Sequence, residues 1–440
     1  MTEEMKPSGI GWIKDIPESW KTVKVKFLAT EPETLFLDGD WIESDVIEES
    51  GIRYLTSGNV GAGFYKEQGS GHISGKTFCD LHCLKVLPGD LMISRLNEPI
   101  GRACIVPEGE PCYVVAVDNV ILRPNKEYDR KFIMYAMNTD GYAEHGNMIA
   151  RGATMSRVSR SQLGQFWLAF PNITEQRAIA DFLDTQCAKI DSVIADIEKQ
   201  IETLKQYMQS LIYETTVGGL KKEVTKRASD IDWINICIPE QWKTKKIRYL
   251  FQLRDERNYR PLEEVNLISL YTDLGVVQHS DLETTTGNKA YTADGYKKVY
   301  KDDIVVNIIL CWMGAIGISD YEGVTSPAYD VYLPIDKKTV YPRYYHYLFK
   351  SERFHGKCYT VGRGIMAMRW RTYSSEFKNI DVPLPTYDEQ VEIATFLDKK
   401  CKEIDAIIQT KQSQRDIIAQ HKKALIYEYV TGKKRVTEVN

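Results

Sequence analysis

Two blocks of this 440-residue chain occur twice, and a duplication limits the architecture more than any local propensity, because whatever one copy folds into the other must repeat. Ile16-Pro17-Glu18-Ser19-Trp20-Lys21-Thr22 returns as Ile238-Pro239-Glu240-Gln241-Trp242-Lys243-Thr244 at an offset of 222, and Val25-Lys26-Phe27-Leu28 is echoed by Ile247-Arg248-Tyr249-Leu250. A second block, Glu175-Gln176, Ile179-Ala180, Phe182-Leu183-Asp184, Cys187 and Ile190-Asp191, returns as Glu389-Gln390, Ile393-Ala394, Phe396-Leu397-Asp398, Cys401 and Ile404-Asp405 at an offset of 214. It holds through Leu211-Ile212-Tyr213-Glu214 against Leu425-Ile426-Tyr427-Glu428, so the first intervening segment is eight residues longer. Between the blocks only faint echoes survive, Gly89-Asp90-Leu91-Met92 against Asp302-Asp303-Ile304-Val305 and Gly101 against Gly314. Duplicated frames with unlike interiors fit two domains that keep one geometry and bind different targets. Drift after an old duplication explains less well why the helices stayed alike while the domains did not.

From Thr174 to Val217 no proline or glycine interrupts the chain, and apolar residues fall at Leu183, Cys187, Ile190, Ile194, Ile197, Ile201, Leu204, Met208 and Leu211. Steps alternating between four and three predict a coiled-coil seam, narrower than the face of an ordinary globular helix and in need of a partner helix. The same frame in the second copy gives Leu397, Cys401, Ile404, Ile408, Lys411, Arg415, Ile418, Lys422 and Leu425. Its later half carries three basic residues, whose stems can cover apolar surface while their heads reach water, and neighbouring Ile407 and Ile417 suggest a shifted face. An intramolecular antiparallel pair is expected; membership of a bundle core is the plainer alternative, weakened by two matching copies at domain boundaries. A helix of about 44 residues spans about 65 Å at 1.5 Å per residue, enough to hold two domains apart. Gly218-Gly219 and Thr431-Gly432, each followed by lysines, are stop signals that close both helices at the same point.

Residues 21–170 and 243–384 mix β-branched and aromatic runs, such as Tyr113-Val114-Val115-Ala116-Val117 and Ile304-Val305-Val306, with frequent glycine turns. Mixed α+β domains rich in strand are predicted. The whole chain reads as an α/β (mixed α+β) protein with an internal pseudo-twofold repeat: two tandem domains separated by two long antiparallel coiled-coil helices. The divisions are 1–170, a central helix 171–218, 219–384, a distal helix 385–432 and a tail 433–440.

The formal net charge of −4 does not advertise a nucleic-acid partner, but the helices carry −4 and −1, leaving +1 for the domains. Each domain also ends in a window free of acids: His145–Thr174 contains Arg151, Arg157 and Arg160, and Arg353–Ser375 contains Lys357, Arg363, Arg369 and Arg371. Affinity for DNA needs cations near phosphates, and specificity needs arginine, asparagine or glutamine at base edges. The loop from Ser94 to Arg102 adds Arg95, Asn97 and Arg102 as candidates, with Asn307 and Trp312 at the corresponding stretch of the second domain. Each taken singly is more often a solvated surface residue than a contact.

Other chemistry is not visible. Gly71-His72-Ile73-Ser74-Gly75-Lys76-Thr77 resembles a phosphate loop, but Ser70 stands where the spacing needs glycine and no clear helix pattern follows. Cys79, His82 and Cys83 lack a second pair at zinc spacing, so no metal site is expected. Nuclease, methyltransferase, GxSxG, HExxH and kinase signatures are absent, and no catalytic residue is expected. The polar start, MTEEMKPSG, has no apolar signal segment, and the apolar run Ile304–Ile318 is broken by Asn307, Gly314 and Gly317 and falls short of the roughly 20 residues of a membrane span. Nine cysteines without a secretory context read as reduced thiols, and a cytoplasmic location is expected.

With these residues assembled, the chain resembles the specificity subunits of type I restriction-modification systems over nearly its full length. The resemblance rests on Gly9-Ile10-Gly11-Trp12 leading to Ile16-Pro17-Glu18-Ser19-Trp20, then Pro171 with Glu175-Gln176 and Phe182-Leu183-Asp184, each repeated later; Trp233 to Trp242 is one residue longer than Trp12 to Trp20. It implies that each variable segment is a target-recognition domain reading one half of a split DNA site, while the helices set the spacer and dock two modification (methyltransferase) subunits. It also implies motor-nuclease restriction subunits in the full enzyme, with S-adenosylmethionine, ATP and magnesium on those partners and no cofactor on this chain. The alternatives from other classes are a self-sufficient DNA methyltransferase or nuclease with an unrecognised active site, and a protein-binding scaffold with no DNA role.

Overall fold

The apolar runs on either side of Gly101 and of Gly314 pair antiparallel in the same way in both copies. The computed structural model describes residues 4–96, 99–151, 156–221, 223–272, 275–281, 292–364 and 370–436. The chain divides into two units, Met1–Ile197 with Ser413–Asn440, and Glu198–Gln412. Each unit thus holds one variable segment together with part of each long helix.

In the first unit the four-stranded sheet has the order Leu35–Asp38, Asn119–Arg123, Leu91–Ser94, Ala103–Ile105. In the second it is Phe251–Leu253, Tyr329–Pro334, Ile304–Asn307, Ile316–Ile318. Register repeats as well, with Leu91 opposite Ile105 and Ile304 opposite Ile318. The strand that follows each repeated tryptophan pairs with the strand that feeds a long helix: Lys21–Lys24 with Trp167–Phe170, and Lys243–Lys246 with Asp381–Leu384. The units diverge where the sequences do. The first adds a sheet in which Ile52–Leu55 runs parallel to Tyr113–Val115, whereas the second has a hairpin of Ile268–Tyr271 and Gly275–Gln278 and a pair of Lys297–Val299 with Gly323–Thr325.

The long helices span Ile173–Gly218 and Tyr387–Val430. Both start on side-chain caps: Asn172 Oδ1 accepts from the Glu175 amide at 3.0 Å, and Thr386 and Glu389 form a reciprocal capping box. In the first unit the beginning of one helix lies antiparallel to the end of the other, with the Phe182 and Tyr429 rings 4.6 Å apart and Lys422 Nζ 2.6 Å from Asp191. In the second unit Ile212 and Val217 share a core with Ile393, Ala394, Leu397 and Cys401. Along the predicted seam Leu183, Ile197, Ile201, Leu397, Ile404 and Ile408 are buried, while Ile190, Ile194, Leu204, Met208, Ile418 and Leu425 are half-buried. The shifted face does not form: Ile407 and Ile417 are 46% and 65% exposed, and the stem of half-buried Lys422 stays on the seam with its ammonium on Asp191.

The repeated Ile-Pro-Glu-X-Trp motif turns out to be a seat for a helix end. Gly219 and Gly432 both take φ of +72°, the left-handed conformation that ends a helix cheaply only with glycine. A Cβ on Gly219 would meet the Trp242 ring at 3.2 Å, and one on Gly432 would lie 2.4 Å from Pro17. The first helix therefore closes on the second copy of the motif and the second helix on the first copy. A buried glutamine locks each helix start in the same manner. Gln176 accepts from the Asp129 amide and donates to the Glu127 and Pro171 carbonyls; Gln390 accepts from the Tyr341 amide and donates to those of Thr339 and Pro385.

The expectation that no helix follows the phosphate-loop look-alike is corrected, since Gly75–Asp80 is helical and capped by Ser74 Oγ on the Thr77 amide. The preceding loop is nevertheless inverted relative to an anion cradle. Carbonyls of Gln68, Gly69 and Gly71 accept from the Arg53 guanidinium, so the loop wraps a cation of its own. No helix among the described residues is long and apolar enough to cross a membrane.

Candidate nucleic-acid interface

Two arginines of each acid-free window sit at the same structural position in both units. Arg151 and Arg157 exchange two backbone hydrogen bonds, 3.1 and 3.0 Å, and Arg363 and Arg371 do the same at 2.9 Å each. Each bridge hangs from the end of a central sheet strand, through the Val158 amide on the Arg95 carbonyl and the Thr372 amide on the Ile308 carbonyl. A helix runs into each bridge, Asp140–Ile149 in the first unit and Glu352–Val361 in the second. The spacing within the bridges differs by two residues, which is where the offset between the copies moves from 212 to 214.

The windows contain no acid, yet folding brings acids to them. Arg157 lies 3.4 Å from Asp118, Arg160 lies 3.2 Å from Asp38 and donates to the Phe36 carbonyl, and Arg363 lies 2.6 Å from Glu376. The Glu376 carboxyl is held below its ordinary range, chiefly by a hydrogen bond from Ser375, with Arg363 adding to the effect. Arg151 and Arg371 are exposed and have no side-chain hydrogen bond or ion pair among the described residues. Lys357 is half-buried and ion-paired with Asp232.

Three of the remaining candidates make hydrogen bonds within the fold. Arg95 is 5% exposed, 3.4 Å from Asp38 and bonded to the Val117 carbonyl; burial pushes its guanidinium below the usual arginine value, with Asp38 opposing. Arg102 donates to carbonyls of Ser57, Val60, Leu96 and Pro99, tying two loops together. Asn307 is 6% exposed, and its Oδ1 accepts from the Ile309 and Leu310 amides to shape the turn that follows. Arg95 and Asn307 are thus buried rather than at the surface where they were expected, and Arg102 is half-buried with its guanidinium on backbone carbonyls. Trp312 is half-buried, its ring 5.5 Å from Tyr359, which in turn stacks on Trp370 at 4.9 Å. Asn97 and Arg369 lie outside the described residues.

Asp38, Asp118, Glu376, Tyr359 and Trp370 were not among the candidates read from sequence. Asp38 and Asp118 are far from the arginines in the chain, and Glu376 stands immediately after the second window, outside the stretch chosen for its lack of acids. The tyrosine and Trp370 lie inside the second window, where attention to charge alone passes over them. No cluster of metal-ligating side chains occurs among the described residues.

Comparison with known proteins places this geometry. Residues 239–414 match the family of the type I restriction modification DNA specificity domain. The putative type I restriction enzyme MjaX specificity subunit of Methanocaldococcus jannaschii is 24% identical over 384 residues, covering 81% of this chain and 81% of that protein. The type I restriction enzyme EcoBI specificity subunit of Escherichia coli is 26% identical over 293 residues, covering 64% and 60%. Among solved structures, a chain from work on complex assembly and conformational transition of the type I R-M system shares the fold with a TM-score of 0.70 at 13% identity, over 95% of this chain and 99% of that one. The HsdS subunit from Thermoanaerobacter tengcongensis does so with a TM-score of 0.52 at 12% identity, over 95% and 98%.

Proposed function

From the premise that this chain belongs to the specificity subunits of type I restriction-modification systems, we propose that it acts without chemistry of its own, converting a split DNA sequence into the placement of a methyltransferase. Each unit reads one half of the site, and the long helices set the spacer between halves. Two modification subunits bearing S-adenosylmethionine dock on those helices, and motor-nuclease subunits using ATP and magnesium complete the enzyme in the cytoplasm. The observation that carries this reading is the doubling. The same sheet order, the same helix seat and the same arginine bridge occur once per unit, around interiors that differ. A doubled frame suits one kind of partner in two copies, and unlike interiors suit two unlike half-sites.

Mapping methylated adenines in the host genome with and without this gene tests the reading. Loss of one bipartite motif, two short specific halves around a fixed gap, is expected on deletion. Methylation or cleavage of DNA by the purified chain alone would contradict it.

A further inference from the structure

The arginine bridges pose an electrostatic problem that the fold leaves unsolved. Residues that exchange both backbone hydrogen bonds stand directly opposite on an antiparallel ladder, their side chains on one face and their Cα atoms about 5.5 Å apart. Like charges in that arrangement repel and destabilise the pairing. The bridge nevertheless occurs in both units, although most of the residues around it differ between them. In each unit one carboxylate answers one of the two arginines, Asp118 for Arg157 and Glu376 for Arg363, leaving Arg151 and Arg371 exposed and unanswered among the described residues. The tied arginine is the second of the pair in the first unit and the first of the pair in the second. What repeats is therefore the charge count, two cations to one anion, and not any individual contact.

We propose that each bridge is a phosphate clamp, in which one backbone phosphate of duplex DNA supplies the missing anion. Arg151 and Arg371 donate to it, and Arg157 and Arg363, anchored by their carboxylates, are positioning residues that hold the bridge in register. The guanidinium fork suits two phosphate oxygens, and the Arg95 and Ile308 carbonyls fix the bridge to the sheet. The clamp fixes where DNA sits and carries no sequence information, so base reading falls to other side chains of each unit. The inference rests on the reading of this chain as a DNA-recognition subunit.

The test uses the full chain and two duplexes, one carrying the mapped bipartite motif and one with both halves scrambled, titrated over a range of salt by fluorescence anisotropy. Arg151→Gln and Arg371→Gln should each weaken binding to both duplexes by the same several-fold factor and reduce the slope of log K against log salt by about 0.9. Arg151→Lys and Arg371→Lys, which keep the charge, should restore most of the slope even if the glutamine variants fold poorly. Selective loss of binding to the mapped duplex would make these arginines base readers and overturn the clamp, as would unchanged slopes in the glutamine variants. If the unaltered chain shows no salt-dependent binding to either duplex, the DNA-recognition reading itself fails, and the clamp with it.

Discussion

The Tyr427 hydroxyl donates to the Trp12 carbonyl oxygen at 3.1 Å, across 415 residues of sequence. Around it the end of the second long helix and the residues that follow it complete the first unit: Val430 is buried in the first unit's core, Lys433 donates to the Asp15 carbonyl, and Arg435 lies 2.5 Å from Glu175. The corresponding work in the second unit is done by the end of the first helix, where the Tyr344 hydroxyl donates to the Thr216 carbonyl. Each unit borrows the far end of the other copy's helix.

Gly432→Val should therefore destabilise the first unit and spare the second. A side chain there meets Pro17 at 2.4 Å and must hold φ near +72°, a combination costing about 1–3 kcal/mol. Limited proteolysis followed by mass spectrometry should show faster cutting within 4–197, with cutting within 198–412 unchanged.

Gln390→Leu, similar in size but unable to hydrogen-bond, strands the Tyr341 amide and the Thr339 and Pro385 carbonyls beside a fully buried side chain. At about 1–3 kcal/mol for a buried group left unpaired, the second unit should lose at least that much in urea unfolding. Gln176→Leu should do the same to the first unit, because its three bonds are equivalent. A loss confined to one of the two variants would show that the locks are not alike.

Burial raises the Glu389 carboxyl, but bonds from the Thr386 amide and hydroxyl outweigh this and leave it below its ordinary value of 4.5. A lowered folded value means that the capping box stabilises above the ordinary value and is lost as pH falls from there through the lower one. Stability of the second unit should thus decline below about pH 4.5, and Glu389→Gln should flatten that decline. Thermal melts of both proteins between neutral and acid pH are the check.

Much of this was legible beforehand because it is periodic or repeated. The four-three spacing from Leu183 to Leu211 marked a helix with a partner, and the Ile-Pro-Glu-X-Trp copies marked a shared frame. What those copies do was not legible, since Gly432 reaches Pro17 only through the tertiary fold. The candidate site divided along the same line. Arg151, Arg157, Arg363 and Arg371 could be found from local composition, but their sorting into tied and untied depended on Asp118 and Glu376. Arg95 and Asn307 were picked for residue type, an arginine and an asparagine able to read base edges, although Arg95 directly follows one central sheet strand, Asn307 ends the other, and both are buried.

If the helices set the gap, inserting one helical turn after Ile197 together with one after Ile408 should lengthen the spacer of the methylated motif and leave both halves unchanged. An unaltered spacer would remove the helices from that role.

If each unit reads its own half-site, the two must be independently exchangeable. Residues 21–170 should be exchanged for the recognition segment of another specificity subunit, and the methylated motif mapped in the same host. One half of the motif should change while the other half and the gap stay as they were. A change in both halves together would contradict it.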